Sequence, residues 1–111
     1  MRASVLVGVH NEGDRLWRTV ESILETKGKL DAEVLVADDG STDGSIKELK
    51  RHFPGIAVLE HSKRIGVGAT RGLAASRARG DVLIFLDGHT KPEPGALERL
   101  VSSVEKTRGK R

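Results

Sequence analysis

An aspartate and a histidine stand two residues apart at Asp87 and His89, directly after the apolar run of residues 81–86. A carboxylate and an imidazole at this spacing on a tight turn can both face one divalent ion. Oxygen and nitrogen ligands of this kind suit Mn²⁺, with Mg²⁺ or Zn²⁺ as alternatives. A metal ion held there could bridge two phosphates of a nucleotide and neutralise a diphosphate leaving group. The alternative is an Asp-Gly turn without a ligand.

Two other polar turns follow apolar runs. The run that opens the chain leads into a His-Asn-Glu turn at residues 10–12, and the second run leads into the adjacent Asp38 and Asp39. Neighbouring carboxylates repel each other unless one is capped or hydrogen-bonded to a donor. One of the pair can cap the following helix, while the other can accept hydrogen bonds from the N–H of a base or from ribose hydroxyls. The alternative for each turn is a helix cap or loop with no ligand.

A glycine-rich segment, G-V-G-A-T-R-G at residues 66–72, follows the third apolar run. A dinucleotide-binding fingerprint would read G-x-G-x-x-G and would follow the first strand, so this segment does not match it. We predict instead a loop, beginning at Gly66, whose backbone a ligand can approach closely. The helix N-terminus and Arg71 would favour an anionic diphosphate there. The alternative for Arg71 is a solvated helix side chain.

The elements that must position these turns alternate along the chain. β-Branched apolar runs predict four strands, at residues 3–9, 33–37, 56–60 and 81–86. Apolar stripes at helical spacing predict four helices. They cover residues 14–26, a segment that starts at 41–43 and ends at 53, residues 68–78, and a last helix from about Pro94. The predicted buried face of the last helix comprises Leu97, Leu100, Val101 and Val104. The order βαβαβαβα predicts an α/β fold, a Rossmann-like three-layer α/β/α arrangement with a mainly parallel sheet. Ligands of such sheets bind beyond the carboxyl ends of the strands, where the polar turns converge.

Composition limits the classes of function. The 111 residues, of which 37% are hydrophobic and 32% charged, predict one globular domain over residues 1–111. Without cysteine, neither disulfides nor thiolate metal sites can form. The longest apolar run, residues 5–9, is too short for a membrane span, and no signal peptide is recognisable, so we expect a cytoplasmic protein, in some settings at the cytoplasmic membrane face. The net charge of +3 comes from scattered basic residues and a short tail at residues 106–111, and we expect no nucleic-acid binding.

Three segments together resemble glycosyltransferase family 2. They are S-V-L-V-G-V-H-N-E at residues 4–12, V-A-D-D-G-S-T-D at residues 36–43, and G-D-V-L-I-F-L-D at residues 80–87. The D-D-G-S-T-D block is specific, and its combination with the third segment is more specific still. The resemblance covers nearly the whole chain, and it implies a GT-A fold that binds a UDP-sugar or another NDP-sugar together with a divalent metal, Mn²⁺ or Mg²⁺.

The resemblance also implies roles for individual residues. Asp39, with Asp38, would contact the base and ribose, while Arg71 would lie near the diphosphate. Backbone groups of the turn at residues 10–12 would line the nucleotide cleft. The implied nucleotide-sugar-binding residues are Val9, His10, Asn11, Glu12, Asp38, Asp39, Gly66, Arg71 and Asp87, and the implied metal ligands are Asp87 and His89.

The D-x-H form of the metal motif departs from the D-x-D that most of the family carries. Together with the His-Asn-Glu turn, it is similar to the polypeptide N-acetylgalactosaminyltransferases and their bacterial relatives. Those animal enzymes are disulfide-bearing, membrane-anchored secretory proteins, which this sequence does not match, so a bacterial-type enzyme is the better fit. The donor sugar and the acceptor, whether glycan, lipid or protein, stay open.

The length of the chain predicts that it is the donor-binding part of such an enzyme. The acceptor-binding half, with the carboxylate that serves as general base in inverting members, would lie beyond Arg111. Two alternatives stand beside this interpretation. A nucleotidyltransferase shares the sheet and the metal chemistry, but its first loop is usually rich in glycine and basic residues. A non-catalytic assembly module could form a homodimer through an exposed sheet edge.

Overall fold

Four strands form one parallel sheet in the order β3-β2-β1-β4. The computed structural model describes residues 2–109. The strands are β1 (Ala3–Val9), β2 (Ala32–Asp39), β3 (Ala57–His61) and β4 (Val82–Asp87). The helices between and after them are α1 (Arg15–Thr26), α2 (Ser45–His52), α3 (Val67–Ala75) and α4 (Ala96–Gly109). The predicted α/β class, element order and parallel sheet are therefore confirmed.

The strand β1 lies inside the sheet, between β2 and β4. All seven of its residues are buried, which explains why its sequence is apolar without the alternation typical of a strand with one wet face. The edge strand β3 is the opposite case, because none of its five residues is fully buried. The fully buried strand β1 is thus the one with which both β2 and β4 pair.

Helices cover both faces of the sheet. The larger core joins alternate residues of β1 to apolar side chains of α1, α2 and α4, and its fully buried members include Val5, Val7, Leu16, Ile23, Leu49, Leu97 and Val101. On the other face, Leu6 and Ala37 pack with Ala74 of α3. Burial of these aliphatic side chains is the main favourable contribution to folding. The three-layer arrangement is the one predicted.

The last helix differs from its prediction. It begins at Ala96 rather than near Pro94, because Gly95 has a positive φ of 81° and ends the preceding turn. Leu97 and Val101 are buried as predicted, but Leu100 and Val104 are 50% and 36% exposed. The prediction of a four-residue buried face was therefore wrong. Leu97 and Val101 join the larger core, while Leu100 and Val104 do not.

Three other boundaries also shift. The strand β2 continues through Asp38 and Asp39, which pair in register with Glu60 and His61 of β3. The helix α2 begins at Ser45, after the whole polar cluster, and α3 already ends at Ala75. Residues 110–111 of the basic tail lie outside the described residues. No helix within residues 2–109 is long and apolar enough to cross a membrane.

An aromatic pair joins α1 to α2. The rings of Trp17 and His52 are stacked, with centroids 3.9 Å apart and planes 10° apart. The guanidinium carbon of Arg18 lies 5.2 Å from the centroid of the Trp17 ring. This contact lies on the side of the molecule where α1 and α2 pack together, and Trp17 is the only tryptophan of the chain.

Candidate functional site

The carboxyl ends of β1, β2 and β4 lie side by side. In the parallel register, Val9 is paired with Asp38, and Gly8 is paired with Asp87. The polar turns that follow these strands therefore meet at one edge of the sheet, as the sequence predicted. We refer to this edge as the carboxyl-end rim, which comprises residues 9–13, 38–45, 61–66 and 87–90.

Asp39 is the most buried carboxylate of the rim, with no exposed surface. It accepts hydrogen bonds from the N–H groups of Ile65 at 2.8 Å and Gly66 at 3.0 Å, and from the Thr70 hydroxyl at 3.1 Å. Arg64 Nε lies 3.5 Å from Asp39 Oδ2. The Ile65 N–H above all, with the other donors, outweighs burial and holds the pKa of Asp39 below its ordinary value. Asp39 therefore stays ionised and ties the loop before α3 to the end of β2.

The Asp38 carboxylate also accepts a hydrogen bond from the chain's own backbone. Asp38 is only 4% exposed, and its Oδ1 accepts a hydrogen bond from the backbone N–H of Ser41 at 3.2 Å. The sequence predicted that Asp38 and Asp39 contact a base and ribose. In this structure both carboxylates organise the loops of the rim, and contact of either one with a nucleotide stays a prediction.

The turn after β1 is fastened to the turn after β2. His10 Nδ1 lies 2.7 Å from the Asp39 carbonyl oxygen, and since that oxygen can only accept, the ring nitrogen donates. The Asn11 N–H donates to Ser41 Oγ at 2.9 Å, while Asn11 Oδ1 accepts from the Thr42 N–H at 2.7 Å. This reciprocal pair holds Asn11 at a positive φ of 50°, an uncommon conformation for a residue with a side chain.

A third carboxylate completes this connection. Asp43 Oδ2 accepts from the Gly13 N–H, and Oδ1 accepts from the Ser45 N–H, both at 3.0 Å. Burial would raise the pKa of Asp43, but these hydrogen bonds together lower it below its ordinary value. These hydrogen bonds fasten the backbone of residues 10–13 to the end of β2 and to the turn after it.

Arg71 lies over β1 and points towards β4. A Cβ atom added at Gly8 would lie 2.7 Å from Val67 Cγ1 and 2.9 Å from Arg71 Cγ, so the glycine permits α3 to approach the sheet. The guanidinium carbon is 5.8 Å from the centroid of the Phe85 ring. Arg71 Nη1 is 3.9 Å from Asp87 Oδ1. The predicted diphosphate-binding arginine and the predicted metal ligand are therefore neighbours.

The Asp87 and His89 side chains are 57% and 52% exposed, unlike the carboxylates of β2. His89 Nδ1 lies 3.5 Å from Glu12 Oε2, a buried oxygen with no hydrogen-bond donor. Among residues 2–109, no group of three or more His, Asp or Glu side chains is arranged to hold a metal ion. Asp87 and His89 are therefore an exposed pair on the rim, and metal binding by them stays a prediction.

Two residues that hold the rim together were not singled out by the sequence. Gly8 stands inside an apolar strand, and a glycine at such a position indicates close approach of another backbone or side chain, so a signal was present. The buried Thr19 hydroxyl donates to the Gly88 carbonyl at 3.0 Å, which anchors the Asp87–His89 turn to α1. Nothing in the helical pattern distinguishes Thr19 from an ordinary helix residue.

The chain matches the sequence model described as "Glycosyl transferase family 2" over residues 4–109. The protein belongs to glycosyltransferase family 2. The resemblance recognised in the three sequence segments is confirmed, and the chain is a glycosyltransferase domain of this family.

Curated relatives are similar to the chain over nearly its whole length. Human polypeptide N-acetylgalactosaminyltransferase 15 is 40% identical over 108 residues, which is 92% of this chain and 17% of the human protein. Glycosyltransferase AglE of Haloferax volcanii is 34% identical over 109 residues, 94% of this chain and 36% of AglE. The chain thus spans about one sixth to one third of the length of these relatives.

Solved structures confirm the fold. Residues 1–349 of S. aureus TarS in complex with UDP superpose with a TM-score of 0.83 at 23% identity, covering 96% of this chain and 32% of the TarS chain. The mannosyltransferase PcManGT from Pyrobaculum calidifontis, in complex with GDP-Man and Mn²⁺, gives a TM-score of 0.77 at 25% identity, with 90% and 31% covered. Both are larger proteins in which this fold is one part.

Proposed function

We propose that this chain is the donor-binding part of a metal-dependent glycosyltransferase, with a UDP-sugar as donor and an acceptor that is a glycan, a lipid or a protein. The observation that carries the proposal is the grouping of exposed Asp87 and His89 beside Arg71 at the carboxyl-end rim. UDP as the nucleotide is favoured by the TarS complex and by the D-x-H motif, while GDP-Man in PcManGT is the competing example. Residence in the cytoplasm stays a prediction.

The residues of the rim fit a divalent cation. A carboxylate and an imidazole suit Mn²⁺, with Mg²⁺ as the alternative, and both side chains are half exposed on a turn that Gly88 and Thr19 fix. The buried Glu12 Oε2 without a donor adds negative charge behind them. When bound, the cation would supply neutralisation of the negative charge on the diphosphate.

The chain's own groups would bind and orient the nucleotide. The Arg71 guanidinium is placed to bind a diphosphate oxygen, and its neighbour Asp87 balances its charge until an anion arrives. The backbone of residues 9–13 would line the nucleotide cleft, since the His10 side chain and the N–H groups of Asn11 and Gly13 hold this turn against β2 and the turn that follows it. The general base stays predicted beyond Arg111, in an acceptor-binding half. The nucleotidyltransferase alternative is set aside because the chain belongs to a glycosyltransferase family.

Calorimetric titration of UDP into the chain, first with Mn²⁺ and then with EDTA, tests the proposal. We expect binding in Mn²⁺ that EDTA weakens at least about tenfold, a difference of about 1.4 kcal/mol. His89→Ala should remove the dependence on Mn²⁺, while His52→Ala, on the far helix α2, should retain it. Equal UDP affinity of the unmodified chain with and without Mn²⁺ would exclude the metal site.

A second candidate, a homodimeric assembly module, is favoured by the surface of β4. This edge strand carries Leu83 and Phe85 on the same face of the sheet as α3, and they are 40% and 47% exposed. Exposed apolar strand edges pair readily with other chains. A mass that rises with concentration, and that Phe85→Ser returns to the monomer value, would support this candidate. A monomer at every concentration would exclude it.

A further inference from the structure

The Oε2 atom of Glu12 accepts no hydrogen bond in the site described above. The Glu12 side chain is only 16% exposed, and its Oε2 is buried without a hydrogen-bond donor. Two nitrogen atoms lie within ion-pair distance of this oxygen, His89 Nδ1 at 3.5 Å and Arg15 Nη2 at 3.6 Å. A buried carboxylate oxygen without a donor is costly, so one of these nitrogens is its natural partner.

The position of the His89 turn relative to Glu12 is fixed by packing. A Cβ atom added at Gly88 would lie 2.7 Å from Glu12 Cγ and 2.6 Å from Val9 Cγ1, so the backbone of the turn rests directly on the Glu12 stem. The Gly88 N–H donates to the Gly8 carbonyl at 3.1 Å, and the Gly88 carbonyl accepts from Thr19. The Arg15 side chain, in contrast, is 69% exposed, against 52% for His89, and belongs to no such packed turn. His89 is therefore the partner whose distance the fold determines.

We propose that Glu12 is a positioning residue that accepts the Nδ1–H of His89 and so leaves Nε2 as the metal-binding atom. The inference rests on the proposed metal site at Asp87 and His89. A neutral imidazole carries one N–H, and the group that accepts it decides which nitrogen has a free lone pair. Metal-binding histidines in proteins commonly donate their second nitrogen to a carboxylate, which fixes both tautomer and ring orientation.

The tautomer can be read directly in the metal-free chain. Long-range ¹H–¹⁵N correlation spectra, recorded at a pH where imidazoles are neutral, show which ring nitrogen of each of the four histidines carries the proton. We expect His89 to carry it on Nδ1 in the unmodified chain and to shift towards Nε2–H in Glu12→Met, which keeps the stem but removes the acceptor. Glu12→Gln retains an amide oxygen and should keep the Nδ1–H form. Glu21→Met, at an exposed position of α1, is the matched control and should leave His89 unchanged.

Titration of Mn²⁺ alone gives the second readout. Paramagnetic broadening of the His89 ring signals should need about tenfold more Mn²⁺ in Glu12→Met than in the unmodified chain, since outer-sphere partners contribute roughly 10- to 100-fold to metal affinity. The signals of His52, on α2, serve as the internal reference. Glu12→Gln should restore most of the affinity, which a purely structural role of the carboxylate would not require.

The outcomes separate this inference from the proposed function. A His89 ring protonated on Nε2 in the unmodified chain overturns the inference, even if Glu12→Met does not fold. An unchanged tautomer and Mn²⁺ response in a folded Glu12→Met variant overturns it as well. If Mn²⁺ broadens no His89 signal in the unmodified chain, the metal site fails, while the tautomer still decides whether Glu12 accepts from His89.

Discussion

The two halves of the carboxyl-end rim use the same kinds of side chain in different roles. After β2, the carboxylate of Asp39 is fully buried and accepts three hydrogen bonds from the chain itself. After β4, the side chains of Asp87 and His89 are more than half exposed. An acidic turn at a strand end can thus either build the loops around a site or face the ligand. Burial and the number of internal donors distinguish the two roles, and residue type does not.

The largest effect that this comparison predicts is on stability. Asp39→Asn replaces an acceptor-only carboxylate by an amide whose NH₂ group faces donors, and we expect the melting temperature to fall by roughly 10 °C. Asp87→Asn, the same change on the exposed half, should lower it by less than about 3 °C. Calorimetric melting of both variants checks the pair. Equal shifts would show that the two halves do not differ as described.

A smaller effect on stability is expected when a methyl group is added to the turn of the exposed half. In Gly88→Ala the new methyl group would meet Val9 and Glu12, which should cost about 1 to 3 kcal/mol of unfolding free energy. Gly55→Ala is the control, because no heavy atom lies within 4 Å of the added Cβ. Urea denaturation measures both, and a neutral Gly88→Ala would mean that the turn can move away from Glu12.

Ligand affinity should depend on the exposed half. We expect Arg71→Gln to weaken UDP binding about tenfold, because one charge-assisted hydrogen bond to the diphosphate is lost. Its melting temperature should change little, since the Arg71 side chain is partly exposed and its ion pair with Asp87 is long, at 3.9 Å. Arg77→Gln, at an exposed position just beyond the same helix, should bind UDP as the unmodified chain does. Titration calorimetry gives both affinities.

The smallest expected effect is on the loss of stability at acidic pH. Because hydrogen bonds lower the pKa of Asp39 in the folded chain, its contribution to stability is present above the unfolded pKa. That contribution is lost as the pH falls below about 4, through the folded pKa. The loss of stability between neutral pH and this range should be smaller in Asp39→Asn, which has no carboxyl group there to protonate. Urea midpoints across the range measure the difference, and identical pH profiles would exclude Asp39 as a contributor.

Much of the fold was predictable from the sequence, because apolar runs and helical stripes report burial directly. The apolar runs predicted the four strands, and the three polar turns predicted the rim. The exposure of Leu100 was not predictable, because it depends on how much of the apolar stripe of α4 the core covers, and the core buries Leu97 and Val101. A helical stripe shows which face of a helix is apolar, but the width of the surface beneath it is a tertiary property.

The site was predictable by position and less so by role. Strand ends placed Asp38, Asp39 and Asp87 on one rim, because parallel strands end at the same edge. The separate tasks of Asp39 and Asp87 depend on the backbone N–H groups of Ile65 and Gly66, whose direction no side-chain pattern records. Backbone donors are identical along the sequence, so only their folded arrangement shows which carboxylate they bind.

The stacked pair of Trp17 and His52 gives the molecule a built-in optical reporter. The chain has one tryptophan and no tyrosine, so its near-ultraviolet emission arises almost entirely from one indole at the α1–α2 contact. Unfolding that separates the two helices will release the ring from its neighbour and change that emission. Fluorescence will therefore follow the docking of α1 on α2.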